Sequence, residues 1–133
     1  MSSSVKAAGG TAAAPFFVVS GVMEVGAGLA LLLAPDRAIR LVFGPSGTDV
    51  GVALGRLAGV ALLSLGAACW LARRDGTSPA SRALVSGMFI YNAGVVALVL
   101  TGSLGSLRPL LLGLAALHGG MAVWCLLLLR GRS

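Results

Sequence analysis

An all-α polytopic membrane protein, a bundle of four transmembrane helices with a short interfacial helix in its first loop, is the predicted fold class. Two observations predict it. Hydrophobic residues make up 57% of the 133 positions and charged residues 11%, with a mean hydropathy of +0.97. A soluble domain carries about 25% charged residues, so this chain lacks the polar groups to cover its own surface. The apolar residues also gather in four runs, 15–34, 50–72, 83–100 and 110–129. A hydrocarbon core of about 30 Å takes about 20 helical residues, which is the length of each run. Backbone groups in lipid must pair within their own segment, so the runs are expected to be helices. None alternates in the manner of a membrane barrel strand. The whole chain, 1–133, reads as one membrane domain.

The opening MSSSVKAAGGTAAA is small and polar, and a mobile tail is expected at its start. The first span is longer than a signal-peptide core, contains Glu24 and ends beside Pro35, so it is kept as a span. In PDRAIRLVFGPSGTD the first half alternates charge with Ile39, Leu41, Val42 and Phe43. That pattern predicts a short helix lying in the interface, ended by the turn residues GPSG. The second loop, RRDGTSPAS, is a polar hinge in which Ser81 is expected to cap the third span. The third, TGSLGSLRP, is tight, and Pro109 suits the first turn of the last helix.

A weak internal repeat relates the spans. At an offset of 54, Gly59, Ala61, Leu63, Gly66, Ala68 and Trp70 fall on Gly113, Ala115, Leu117, Gly120, Ala122 and Trp124. At an offset of 68, Glu24 and Gly26 fall on Asn92 and Gly94. One reading is a duplicated helical hairpin in parallel orientation, and the other is coincidence in a Gly/Ala/Leu-rich alphabet. In GVALGRLAG, Gly51, Gly55 and Gly59 clear one stripe of the second span, where another helix backbone can approach closely. That stripe serves either an interface between copies or packing within the chain. Gly21 and Gly28 flank Glu24 on the first span.

The net charge of +6 and pI of 11.2 do not indicate a nucleic-acid partner. The basic residues sit at the ends of the apolar runs and form no patch interleaved with aromatics. Their placement reads as topology instead. Lys6, Arg73, Arg74, Arg82, Arg130 and Arg132 share one side with both termini, and Arg37, Arg40 and Arg108 share the other. With Arg56 left out of the count, six against three predicts both termini in the cytoplasm by the positive-inside rule, and a bacterial inner membrane is the expected location. Trp70, Trp124 and the pair Phe16–Phe17 then form an aromatic belt at the cytoplasmic interface. Cys69 and Cys125 lie in the same zone, where a reducing compartment keeps thiols reduced, and there is no C-x-x-C redox pair.

Few residues carry chemistry. Glu24 lies nine residues into the first span, Asn92 nine into the third and His118 eight into the fourth, all at about one depth. Tyr91 adjoins Asn92, and Arg56 enters from the opposite surface, six residues into the second span. Intramembrane ionisable residues are rare and are functional by default. Together Glu24, Arg56, Tyr91, Asn92 and His118 form the candidate intramembrane polar cluster. In one reading Glu24 pairs with Arg56, and Asn92 and His118 complete a layer that fixes helix register. In the other, Glu24 binds and releases a proton or a cation. His118, Met121 and Cys125 share a face of the last span, but a Met or Cys in an apolar helix is ordinarily core filler, so no metal is assigned. No cofactor is assigned either. Without a nucleophile–base pair, an enzyme is not indicated.

Two resemblances can be placed on residues. MEVGAGLALLL resembles the first helix of the small multidrug resistance transporters, which are short four-helix proteins with a membrane glutamate there; the later spans lack that family's aromatic- and Gly-rich motif. LLLAPDRAIRLVFG followed by RLAGVALLSLGAACWLARR resembles small four-helix membrane proteins of the DoxX-like kind. That likeness implies a four-helix bundle and no defined activity. The expected role is a small membrane scaffold or accessory subunit, packing in a homo-oligomer or against other membrane subunits, with lipid as its surroundings. The alternative is a proton- or cation-coupled small-molecule transporter or pore using Glu24.

Overall fold

The computed structural model describes residues 4–45, 48–75, 78–102, 104 and 108–131, with side chains from Ala12 onward. Among these residues the chain is all-helical: α1 (Ser4–Leu33), α2 (Pro35–Phe43), α3 (Asp49–Ala72), α4 (Pro79–Leu100) and α5 (Pro109–Arg130). Four of the five, all but α2, are long and apolar enough to cross a membrane.

Local chemistry explains the boundaries. Pro35, Pro79 and Pro109 each open a helix, where a missing N–H costs nothing. Thr48 caps α3, its Oγ1 accepting from the Gly51 N–H at 3.1 Å. Ser78 caps α4, its Oγ accepting from the Ser81 N–H at 3.1 Å. The cap is therefore Ser78 and not Ser81, and α4 begins four residues before the apolar run does. The first turn Pro79–Arg82 is helical without being apolar, so hydropathy alone misses it. The helix α1 likewise starts at Ser4, where a tail was expected, and runs through Pro15. The alanine-rich stretch ahead of Pro15 favours helix strongly enough to outweigh its polar look. Gly44 ends α2 at φ 90°, a backbone conformation that glycine adopts without strain. A short helix is present where one was predicted in the first loop, and an exposed Asp36–Arg40 ion pair at 2.9 Å spans one turn of it.

The chain forms two compact units, Phe17–Arg73 on one hand and Met1–Phe16 with Arg74–Ser133 on the other.

In the unit Phe17–Arg73, α1 and α3 run antiparallel with backbones in close contact. A Cβ placed on Gly59 would meet the Gly28 carbonyl oxygen at 2.8 Å and the Leu32 nitrogen at 2.9 Å. One on Gly28 would meet the Gly59 oxygen at 2.8 Å, and one on Gly66 the Val25 nitrogen at 3.0 Å. Glycines seven apart on each helix, Gly21/Gly28 and Gly59/Gly66, interlock along this seam. The helix α2 lies on α3, where Ile39 and Pro35 cover Gly55. At the far end of α3 the Arg73 guanidinium sits 4.0 Å above the Trp70 ring and donates to the Trp70 carbonyl.

In the other unit, α4 and α5 pack side by side around Val85, Met88, Val99, Leu111, Met121, Cys125 and Leu128. Phe16 meets Trp124 edge to face, with ring centroids 5.6 Å apart.

Burial tests the internal repeat. At the offset of 68, Ala13, Phe17, Ser20 and Glu24 fall on Ser81, Val85, Met88 and Asn92, and all eight are buried. At the offset of 54 the correspondence breaks: Gly59 and Gly66 are buried, whereas Gly113 and Gly120 are exposed. Buried positions of α3 and α5 coincide instead two residues on, where Gly55, Gly66 and Cys69 fall on Leu111, Ala122 and Cys125. Two residues are about 200° around a helix, so the identical residues lie on opposite faces.

Candidate functional site

The predicted polar residues fall into both units. In the unit of α4 and α5, Asn92 and His118 are buried, 2% and 7% exposed. The Asn92 Nδ2 donates to the Met88 carbonyl of its own helix at 2.7 Å, and its Oδ1 lies 2.7 Å from His118 Nδ1. These contacts fix both orientations. The amide nitrogen must face the Met88 carbonyl, because the reverse orientation would oppose two acceptors. Oδ1 therefore faces the imidazole, and His118 Nδ1 must carry the hydrogen that it accepts. The neutral ring is then the Nδ1–H tautomer, with Nε2 holding the basic lone pair. Tyr91 packs its ring edge to face on His118, centroids 5.4 Å apart and planes at 84°. Tyr91, Asn92 and His118 are thus brought together, with residues adjacent on α4 clasping one side chain of α5. Each such hydrogen bond contributes about 1 kcal/mol net, whereas stranding a buried partner costs about 1–3 kcal/mol.

In the other unit, Glu24 is 4% exposed on α1. It lies about 60° around the helix from the Gly21/Gly28 seam, on a second buried face with Phe17 and Ser20. One turn before it, the Ser20 hydroxyl is buried with no hydrogen-bond partner among the described residues, as is the Ser81 hydroxyl on α4.

Arg56 does not stand beside Glu24. The antiparallel seam sets Gly66 against Gly21 and Val25, and Gly59 against Gly28 and Leu32. Glu24 therefore lies level with residues near 63–66, some seven to ten residues from Arg56 and about 10–15 Å along the axis. Arg56 is exposed and lines an open recess with Leu33, Pro35, Asp36 and Arg37. The expected Glu24–Arg56 ion pair is corrected on this geometry: α3 runs the arginine past the end of α1, away from the carboxylate.

The glycine stripe divides into three roles. Gly59 sits in the α1–α3 seam, Gly55 lies under Ile39 of α2, and Gly51 faces only its own cap, Thr48. The closest backbone contact thus uses Gly59 with Gly66 on α3, a spacing of seven, in place of the spacing of four read from GVALGRLAG. The hydrophobic sequence could have shown this, since Gly21/Gly28 and Gly59/Gly66 repeat with one period. His118, Met121 and Cys125 are buried on one face of α5. Among the described residues, no three His, Cys, Asp or Glu side chains lie close enough to hold a metal ion.

The chain matches no family model, no curated protein and no solved structure. The two resemblances noted above therefore add nothing to the site, and its chemistry rests on the residues alone.

Proposed function

We propose that the chain is an integral protein of a bacterial inner membrane, with both termini cytoplasmic, acting as a small scaffold or accessory subunit through helix packing. One contrast carries the reading. The heptad-spaced glycines Gly21/Gly28 and Gly59/Gly66 interlock, whereas Gly87/Gly94 on α4 and Gly113/Gly120 on α5 repeat the same spacing with nothing within 4 Å of an added Cβ. In lipid, close backbone approach over small residues drives helix association. Those open faces suit helices of a second copy or of another membrane subunit.

Other features support residence in a bilayer. Only 22–33% of each span is buried within the chain, and large side chains such as Val22, Leu57, Leu71, Ile90 and Leu127 are exposed along the spans. Exposed hydroxyls satisfy themselves within their helices, Ser64 donating to the Val60 carbonyl at 2.9 Å and Ser86 to the Arg82 carbonyl at 3.0 Å.

The test is cross-linking in native membranes. Single cysteines at Gly94, Gly113 and Gly120, with Cys69 and Cys125 replaced by alanine, should form cross-linked species of higher mass. A cysteine at Val60, exposed but away from those faces, should not. Monomer at every position in a protein that stays with the carbonate-washed membrane fraction would sink the reading.

A second reading is favoured by the burial of two ionisable side chains, Glu24 and His118, within spans. It is a proton- or cation-coupled transporter or pore. Proton flux in proteoliposomes that disappears in Glu24→Gln would put it first.

A further inference from the structure

We propose that the recess where α1 meets α2 is a binding site for an anionic phospholipid, its phosphate held by Arg37 and Arg56 and its chains lying on α3. The inference rests on the membrane reading above, and it starts from Arg56. An arginine inside an apolar span is costly unless something neutralises or solvates it. Arg56 lies seven residues, about 10 Å of axis, inside α3, and Glu24 is beyond its reach.

No other carboxylate serves in its place. Among the described residues, neither Arg37 nor Arg56 has a carboxylate within salt-bridge distance. Asp36 lines the same recess, but both of its oxygens lie 2.9 Å from Arg40 Nε. Asp49 lies two turns away at the start of α3. Two arginines therefore line one recess with no carboxylate among the described residues paired to either.

The recess is about 460 Å³ and opens to the surroundings, a size that suits a small ligand or headgroup. Each guanidinium offers five N–H donors in a planar fork that matches phosphate oxygens two at a time. The first turn of α2, which lines the recess with Pro35 to Arg37, has no side-chain cap. Its amides add partial positive charge.

The apolar surroundings select a lipid over a free ion. Leu33, Val50, Leu54 and Leu57 are 59–77% exposed on the same helix ends. A phosphate site at interfacial depth with exposed leucine and valine beside it has the two-part chemistry of a phospholipid. Two unmatched cations favour a headgroup of net negative charge over a zwitterion. The arginines reach the interface along their aliphatic stems, as long basic side chains do near helix ends.

The experiment uses full-length protein extracted from membranes in mild detergent and read by native mass spectrometry. Phosphatidylglycerol, phosphatidylcholine and inorganic phosphate are added in separate arms. Wild type should hold one phosphatidylglycerol, with phosphatidylcholine at least tenfold weaker and inorganic phosphate unable to displace it. Arg37→Gln/Arg56→Gln should lower phosphatidylglycerol retention at least tenfold, Arg56→Lys should fall between, and Arg82→Gln should match wild type. Circular dichroism of each variant checks that the helices remain. Equal retention by the double variant and wild type, equal binding of both lipids, or displacement by inorganic phosphate would each overturn the site. Failure of the chain to fractionate with membranes would instead overturn the membrane reading beneath it.

Discussion

Replacing Gly59 by alanine tests the α1–α3 seam with a single methyl group. The added Cβ would lie 2.8 Å from the Gly28 oxygen and 2.9 Å from the Leu32 nitrogen, against 3.4 Å for ordinary contact. The shortfall is about 0.6 Å, and both neighbours are backbone, so no rotamer change relieves it. The helices must separate along the whole seam, which loosens Gly28 and Leu63 as well. Overpacking of this kind costs about 1–3 kcal/mol. The substitution also removes a helix glycine, which alone favours the variant by about 0.5–1 kcal/mol. A net loss of about 1–2 kcal/mol is expected, or several degrees of Tm.

Gly26→Ala supplies the control. It gains the same helix propensity, meets nothing within 4 Å and lies on none of the faces proposed for association, so Tm should hold or rise. Thermal unfolding in one detergent, followed by circular dichroism, compares the two. Gly28→Ala should resemble Gly59→Ala, and the double variant should cost less than their sum, since one separation of the helices accommodates both methyls. If Gly59→Ala and Gly26→Ala melt together, the close approach of α1 and α3 is wrong.

Further outcomes are expected of the polar residues, caps and loops. Glu24→Gln and Arg56→Gln should be additive within about 0.5 kcal/mol, because the residues lie too far apart to share a partner; strong coupling in denaturant melts would restore the ion pair. Asn92→Leu should cost about 1–3 kcal/mol by stranding the His118 Nδ1–H, and combining it with His118→Phe should cost less than the two separately. Ser78→Ala should cost about 0.5–2 kcal/mol, whereas Ser81→Ala should not remove a cap, a contrast that helix content and Tm would report. In intact cells, a cysteine at Arg108 should react with an impermeant thiol reagent and one at Asp75 should not; the reverse pattern would invert the proposed topology.

Much of the secondary structure was legible in the sequence because lipid-spanning length is a one-dimensional property. Runs of apolar residues located α1, α3, α4 and α5, and charge alternation located α2, without any knowledge of neighbours. The misplaced starts of α1 and α4 share a cause. Hydropathy reports what a segment can be buried in, whereas a helix begins where alanine propensity or a Ser78-type cap lets it. The sequence also singled out Tyr91, Asn92 and His118, since polar residues stand out in an apolar span. It could not place Glu24 and Arg56 relative to one another. Equal depth counted from span ends said nothing about which face each residue occupies or how far two helices slide past one another. Tertiary structure decided those points. The Gly28–Gly59 contact sets the register of α1 on α3, and that register carries Arg56 away from Glu24 and into the recess with Arg37. The Gly59 and Gly66 positions differ from Gly113 and Gly120 for the same physical reason: a glycine's role depends on whether a backbone lies opposite it, and no feature of the residue itself records that.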